Sequence, residues 1–196
     1  QKAAVITPIP KKANADSDEL KNYRPISNLT FISKVVERIV AEQITKHLNE
    51  SNLMPPLQSA YRCHHSTETA VTKVLSDILD ATDARKVTLL GLLDLSAAFD
   101  TVDHSILLQR LRISFGVDGV AHDWIRSFLT DRKQAVTFNG ATSCYTSLRY
   151  GVPQGSVLGP LLFLLYTADV SAVARRHGVS VHSYADNTQL YASCPA

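Results

Sequence analysis

The chain has 196 residues, 45% of them hydrophobic, and a formal net charge of +2; that length and composition support a buried core and exclude a disordered polymer. Its pI of about 8.5 is weaker than the overall basicity of a dedicated nucleic-acid-binding domain, so any such partner must be argued from local clusters. No run of about 18 apolar residues occurs and the Lys-containing start lacks the apolar core of a secretory signal, so the expectation is an intracellular protein without a membrane partner.

Ala4 to Ile9 predicts a strand, followed by a polar loop from Lys11 to Asn22. Pro25 keeps Arg24 extended, so that guanidinium is presented from a stiff segment. Val35, Val36, Ile39, Val40, Ile44 and Leu48 recur at helical spacing and predict an amphipathic helix from Ile32 to near Asn49. Pro55-Pro56 breaks the chain, Gln58 to Arg62 reads as a short extended piece, and Ser66 to Asp83 predicts a second helix capped by Ser66 or Thr67. Val87 to Leu93 is a continuous apolar run ended by Asp94, the pattern of a strand buried on both faces. Helices are expected from His104 to Phe115 and from Gly119 to Leu129, the latter placing Val120, Trp124 and Phe128 together.

Asn139-Gly140 between Gln134–Phe138 and Thr142–Tyr150 is a strong hairpin signal. Gly151 to Gly155 forms a loop, Leu158 to Arg175 a buried helix, and Val179 to Ser193 a closing hairpin with Asp186 and Asn187 at its turn. Helices and strands interleave without a regular βαβ rhythm, which predicts an α+β fold with a mixed sheet.

The cysteines Cys63, Cys144 and Cys194 are odd in number and widely spaced, which fits reduced thiols. Cys63-His64-His65 suggests zinc, but no second Cys or His pair stands at ligand spacing. The sole methionine is Met54, so residue 1 is not a translation start and the chain is expected to be a piece of a longer protein.

Asp94 and Asp186 each stand where an apolar strand meets a turn, and two such carboxylates can share metal ions about 4 Å apart for in-line displacement at phosphorus. The competing reading has each merely cap a strand or turn. Phe99 is placed to floor a nucleotide pocket, whereas Asp100, Asp103 and His104 read as solvated or N-capping residues before a helix. Gly151-Val152-Pro153-Gln154-Gly155-Ser156 exposes backbone to close approach, adds an amide with donor and acceptor, and precedes a helix N-terminus.

Five ordered blocks carry a resemblance. Tyr23 to Ser27, Gln58 to Arg62 with His65-Ser66-Thr67, Leu93 to Asp100, Gly151 to Pro160, and Ser183 to Thr188 are similar to reverse transcriptases of non-LTR (LINE-type) retrotransposons. The resemblance implies a right-hand polymerase, residues 1–86 belonging to the fingers and 87–196 to a palm whose mixed or antiparallel sheet packs on helices, with thumb and endonuclease outside the segment. It implies RNA-templated DNA synthesis with two Mg²⁺ ions, or Mn²⁺, held by Asp94, the Leu95 carbonyl, Asp186 and, less fully, Asn187. Phe99 would be the steric gate against a 2′ hydroxyl. Gln154 and Gly155 would meet nucleotide or template, and Arg24, Lys34 and Arg62 would meet phosphates. The implied partners are an RNA template, a DNA primer, deoxynucleoside triphosphates and the remainder of the retrotransposon polyprotein, in nucleus and cytoplasm.

Two positions depart from the family pattern. Asn187 replaces a second Asp, which keeps an oxygen but removes a charge, and Ala60 stands where a Gly is common. A noncatalytic, degenerate or domesticated RNA-binding module is therefore the competing expectation, and a metal-dependent nuclease a more distant one.

Overall fold

A computed structural model describes residues 2–14, 16–95 and 97–195. The chain divides into two compact units that interleave in sequence, one of residues 1–53 and 99–163 and one of residues 54–98 and 164–196. The expected finger boundary at residue 86 falls inside the second unit.

The first unit is built on a five-stranded sheet. β1 (Ala3–Pro10) pairs antiparallel with β2 (Tyr23–Asn28) and parallel with β4 (Arg132–Phe138), which also carries β5 (Ala141–Thr142) and β6 (Thr146–Leu148). Pro8 lies opposite Pro25. Neither residue has an N–H, so the pair fits a position between ladder hydrogen bonds. β1 meets β4 only over Ala3 to Ile6, which leaves the far side of Pro8 without a strand to serve. The tight turn after β4 follows the expected Asn-Gly chemistry, with φ of 49° at Asn139 and 79° at Gly140, the two left-handed positions that such a turn needs.

Three helices complete the first unit: α1 (Phe31–Glu50), α3 (His104–Ile113) and α4 (Gly119–Leu129). Thr30 starts α1 by accepting a hydrogen bond from the Ser33 N–H, and Asp103 starts α3 by accepting from the Ser105 and Ile106 N–H groups, satisfying donors that a helix start leaves unpaired. The core gathers Ile44 and Leu48 of α1, Leu107 and Leu111 of α3, and Ile125 and Leu129 of α4.

The apolar stripe of α1 is not buried as its periodicity predicts. Phe31, Ile32 and Ile39 are 80%, 75% and 52% exposed, while Glu37 is 1% exposed. The helix is rotated to bring Glu37 inward with Ile44 and Leu48, for a reason that lies in the loop the carboxylate binds, described below.

The second unit holds α2 (Thr67–Asp83), α6 (Asp169–Arg176) and an antiparallel sheet ordered β3 (Lys86–Asp94), β8 (Asn187–Pro195), β7 (Ser180–Tyr184). Ser66 and Thr69 form a reciprocal capping box at the start of α2. β3 departs from expectation. It is an edge strand rather than one buried on both faces, with Leu89 and Leu92 78% and 72% exposed. The apolar run reports what the strand tolerates, not what covers it, and α2 is the helix packed along it.

The helix predicted from Leu158 to Arg175 is two helices, α5 (Leu158–Thr167) and α6, with the pattern broken only at Ala168. By length and composition Leu158–Arg176 would suffice to cross a membrane. Its most apolar residues, Leu158 and Leu161 to Leu165, are instead buried in the fold.

Candidate functional site

In the second unit, strand register brings Asp94 to the hairpin whose turn carries Asp186. Asp94, the last residue of β3, lies directly opposite Asn187, the first residue of β8, and Asn187 in turn lies opposite Tyr184. Directly opposed residues share a face of the sheet. Ala185 and Asp186 form the two-residue turn between β7 and β8, with Ala185 at φ 55°. Asp186 thus adjoins the Asp94–Asn187 pair, and the Leu95 carbonyl follows at the strand end. A cleft of about 290 Å³ opens here, lined by Asp94, Tyr184, Asn187 and Gln189 and by Thr67 and Ala70 of α2.

The donor set is oxygen only. Neither carboxylate has an ion-pair or hydrogen-bond partner among the described residues. Hard divalent cations such as Mg²⁺ and Mn²⁺ take such ligands. No group of three or more His, Cys, Asp or Glu able to hold a metal occurs among the described residues. Cys63-His64-His65 is therefore no zinc site there, and a cation at the corner would complete its shell from neutral oxygens, water and phosphate. Tyr61 registers the local field: its phenol is pushed above the ordinary range by burial first, then by the charges of Asp186 and Tyr184.

Arg62 is half-buried and donates to the carbonyls of Pro55 at 3.0 Å and Gln58 at 3.2 Å. Its guanidinium ties down the irregular segment before α2.

The motif from Asp94 to Asp100 is divided between the units, Asp94 and Leu95 in the second and Phe99 and Asp100 in the first; Ser96 lies outside the described residues. In the first unit, half-buried Phe99 packs against Phe163 with ring centroids 5.4 Å apart. The loop after β6 then folds over the backbone of Phe99 and Asp100. Gly151 has φ 86°, and a Cβ there would lie 3.0 Å from the Asp100 backbone and the Phe99 carbonyl, so only glycine fits. Its N–H donates to the Val102 carbonyl and the Val152 N–H to that of Phe99, each at 2.8 Å. Its own carbonyl accepts from Arg132 Nη1 at 3.0 Å and from His104 Nε2 at 2.8 Å. A carbonyl can only accept, so Nε2 of His104 carries the proton.

Gln154 Nε2 donates to Asp100 Oδ2 at 3.2 Å. Burial raises the Asp100 carboxyl pKa, against the lowering effect of this bond. Gly155, at φ 96°, passes 3.4 Å, measured from an ideal Cβ, from the Ser27 carbonyl, and the Ser27 N–H donates to the Gln154 carbonyl at 2.8 Å. A cleft of about 200 Å³ is lined by Pro25, Asp100, Arg132, Tyr150 and Gln154. Arg24 and Lys34 are exposed, with no ion-pair partner among the described residues.

Two buried charged residues that hold this loop escaped the sequence reading. Glu37 Oε2 accepts from the Val157 and Leu158 N–H groups at 2.8 and 3.2 Å, and its Oε1 accepts from Ser33 Oγ at 3.1 Å. The carboxylate caps the start of α5, where helix-end partial charge favours an anion. Arg132, 6% exposed, has its guanidinium pKa lowered by burial and raised by Glu37. The sequence did hold a signal: Glu37 stands seven residues before Ile44, on the apolar stripe of its own helix.

Residues 9–195 match the family described as reverse transcriptase (RNA-dependent DNA polymerase), and the chain belongs to that family. It is 38% identical over 169 residues to the probable RNA-directed DNA polymerase from transposon X-element of Drosophila melanogaster, a match covering 86% of this chain and 18% of that protein. Against the corresponding protein from transposon BS of the same fly it is 32% identical over 184 residues, covering 91% of this chain and 20% of that one. Among solved structures, apo telomerase from Candida tropicalis, truncated from its C-terminal domain, superposes with a TM-score of 0.66 at 14% identity, covering 97% of this chain and 44% of that chain. That likeness establishes the α+β fold. The chain spans about a fifth of the length of these curated relatives.

Proposed function

We propose that the segment is the fingers (1–86) and palm (87–196) of an enzyme that copies an RNA template into DNA during non-LTR retrotransposition. One observation carries the reading: β-sheet register sets Asp94 against Asn187 with Asp186 beside them, in a chain of the reverse transcriptase family. Asp94 and Asp186, with the Leu95 carbonyl and the Asn187 side-chain oxygen, are the groups to hold two Mg²⁺, or Mn²⁺, ions. Such ions, if held there, would supply Lewis acidity toward a primer 3′ hydroxyl and positive charge beside the transferring phosphate.

The remaining residues bind and orient. Phe99, braced by Phe163, rejects a 2′ hydroxyl and so selects deoxynucleoside triphosphates. Gln154 and Gly155 present amide and bare backbone to nucleotide and template, and the exposed Arg24 and Lys34 attract phosphate. Arg62 contributes its charge to the same task while its N–H groups hold Pro55 and Gln58. The partners are an RNA template, a DNA primer and the rest of the polyprotein, acting in cytoplasm and nucleus. Because the chain covers about a fifth of its relatives, turnover is expected from a longer polypeptide and not from this segment alone.

The test is primer extension on RNA by a longer polypeptide carrying this segment. Asp94→Ala and Asp186→Ala should each lower Mg²⁺-dependent incorporation by at least about a hundredfold, and unchanged incorporation in either would sink the assignment. Asn187 favours a second reading, a palm that binds RNA without turnover. Here Asn187→Asp decides: a gain of about tenfold supports a polymerase limited by the missing charge, whereas no extension before or after, with RNA binding that persists without Mg²⁺, supports the noncatalytic module.

A further inference from the structure

The turn that carries Asp186 does not hold its shape by local pairing alone. Ala185, at φ 55°, occupies a left-handed conformation that an L residue adopts only under constraint, and a two-residue hairpin turn at such a position ordinarily recruits Gly, Asn or Asp. The constraint comes from far along the sequence. The side chain of Gln58, 5% exposed, grips both backbone polar groups of Ala185: Oε1 accepts from the Ala185 N–H at 3.0 Å, and Nε2 donates to the Ala185 carbonyl at 3.2 Å.

The same oxygen accepts from the Ala60 N–H at 3.0 Å. Ala60 precedes Tyr61, itself left-handed at φ 57° and the residue whose phenol senses the charge of Asp186. One buried amide therefore holds the backbone of the left-handed Ala185 and of Ala60, the neighbour of the left-handed Tyr61. Its own position is fixed in turn. Gln58 bridges in parallel to Ser183 of β7, with Ser183 N–H donating to the Leu57 carbonyl at 2.8 Å and Ser59 N–H to the Ser183 carbonyl at 2.9 Å. Ser59 Oγ further bonds Nε2 of the buried His182 at 2.9 Å.

We infer that Gln58 is a positioning residue for the metal-binding corner: its amide locks the Ala185 turn, and with it Asp186, in the geometry that meets Asp94. An amide is suited to this because Ala185 offers one donor and one acceptor, and Gln supplies the complement of each. The inference rests on the reading of Asp94 and Asp186 as a cation site, and the experiment separates the two.

In the 196-residue chain, Gln58→Met keeps the volume and removes every bond of the amide, whereas Gln58→Glu keeps the accepting oxygen and replaces the donating nitrogen with a second acceptor. Backbone-amide exchange and Mn²⁺ affinity, from the electron-paramagnetic signal of the free ion, are measured for each. Gln58→Met should speed exchange at Ala60 and Ala185 about tenfold or more while leaving the β8 amides around Tyr191 unchanged, and should weaken Mn²⁺ binding about fivefold. Gln58→Glu, which can still accept from both N–H groups but sets a second oxygen against the Ala185 carbonyl, should slow exchange only partly relative to Gln58→Met. Exchange at Ala185 that is unaltered in Gln58→Met, or that rises only in step with Tyr191, overturns the inference. Mn²⁺ affinity unaffected by Asp186→Ala would refute the cation site instead, and the exchange comparison would still decide what Gln58 does to the turn.

Discussion

The corner of Asp94 and Asn187 and the Gly151 loop hold their side chains in place by different means. At the corner, Asp94 and Asn187 are residues of a regular ladder, and pairing alone brings them together; only the turn residue Ala185 needs help, supplied by a neutral amide. The loop has no ladder. Its shape comes from polar and charged side chains removed from water: the carboxylate of Glu37 on the amides that open α5, and the guanidinium of Arg132 with the His104 ring on the Gly151 carbonyl. Ladder hydrogen bonds are many and shared, so removing one side chain at the corner should leave the strands paired. A buried charge has few partners and a large desolvation penalty, so removing one should disturb the whole loop.

That difference orders the expected losses in stability. Glu37→Ala strips two N–H groups and the buried Arg132 of their anion and should destabilise by about 3 kcal/mol in urea unfolding. Glu37→Gln, which keeps an oxygen toward α5, should lose about 1 kcal/mol. Equal losses would mean that the charge is irrelevant. Gly151→Ala places a methyl against the Phe99 and Asp100 backbone at a φ of 86° and should lose about 2 kcal/mol; a neutral result would show that the loop yields where its fixed carbonyl says it does not.

The smallest effect belongs to the sheet. Tyr191 donates its hydroxyl to Asp77, and burial first, then that bond and the Asp77 charge, push its pKa far above the ordinary phenol range. The folded chain therefore holds this proton more tightly than the unfolded one. The contribution is complete below about pH 10 and is lost as pH rises beyond it. Tyr191→Phe should lose about 1 kcal/mol near pH 8, and the gap to the parent should close by about pH 11; a constant gap would place the effect in packing.

The same contrast explains what could be read from the chain. The strand end at Asp94 and the hairpin turn at Asp186 were legible because each closes an alternating or apolar strand pattern. Asn139-Gly140 announced its turn for the same reason. The exposure of β3 was not legible, because an apolar run records the strand and not its neighbours. Glu37 was passed over because a charge near an amphipathic face reads as solvated unless its partner is known, and that partner lies 120 residues away in sequence. Gln58 sat within a recognised block, yet its role depends on Ala185, 127 residues distant. Long-range polar contacts of this kind leave no periodicity to detect.

The central claim, that Asp94 and Asp186 form a divalent-cation corner, is tested most directly by adding substoichiometric Mn²⁺ to the 196-residue chain and following paramagnetic broadening of assigned backbone amides. Leu95, Asp186 and Asn187 should broaden first, and the effect should disappear when Asp94→Asn and Asp186→Asn are combined. Broadening centred elsewhere, for instance on Asp16, Asp18 and Glu19, or unaffected by those substitutions, would contradict it.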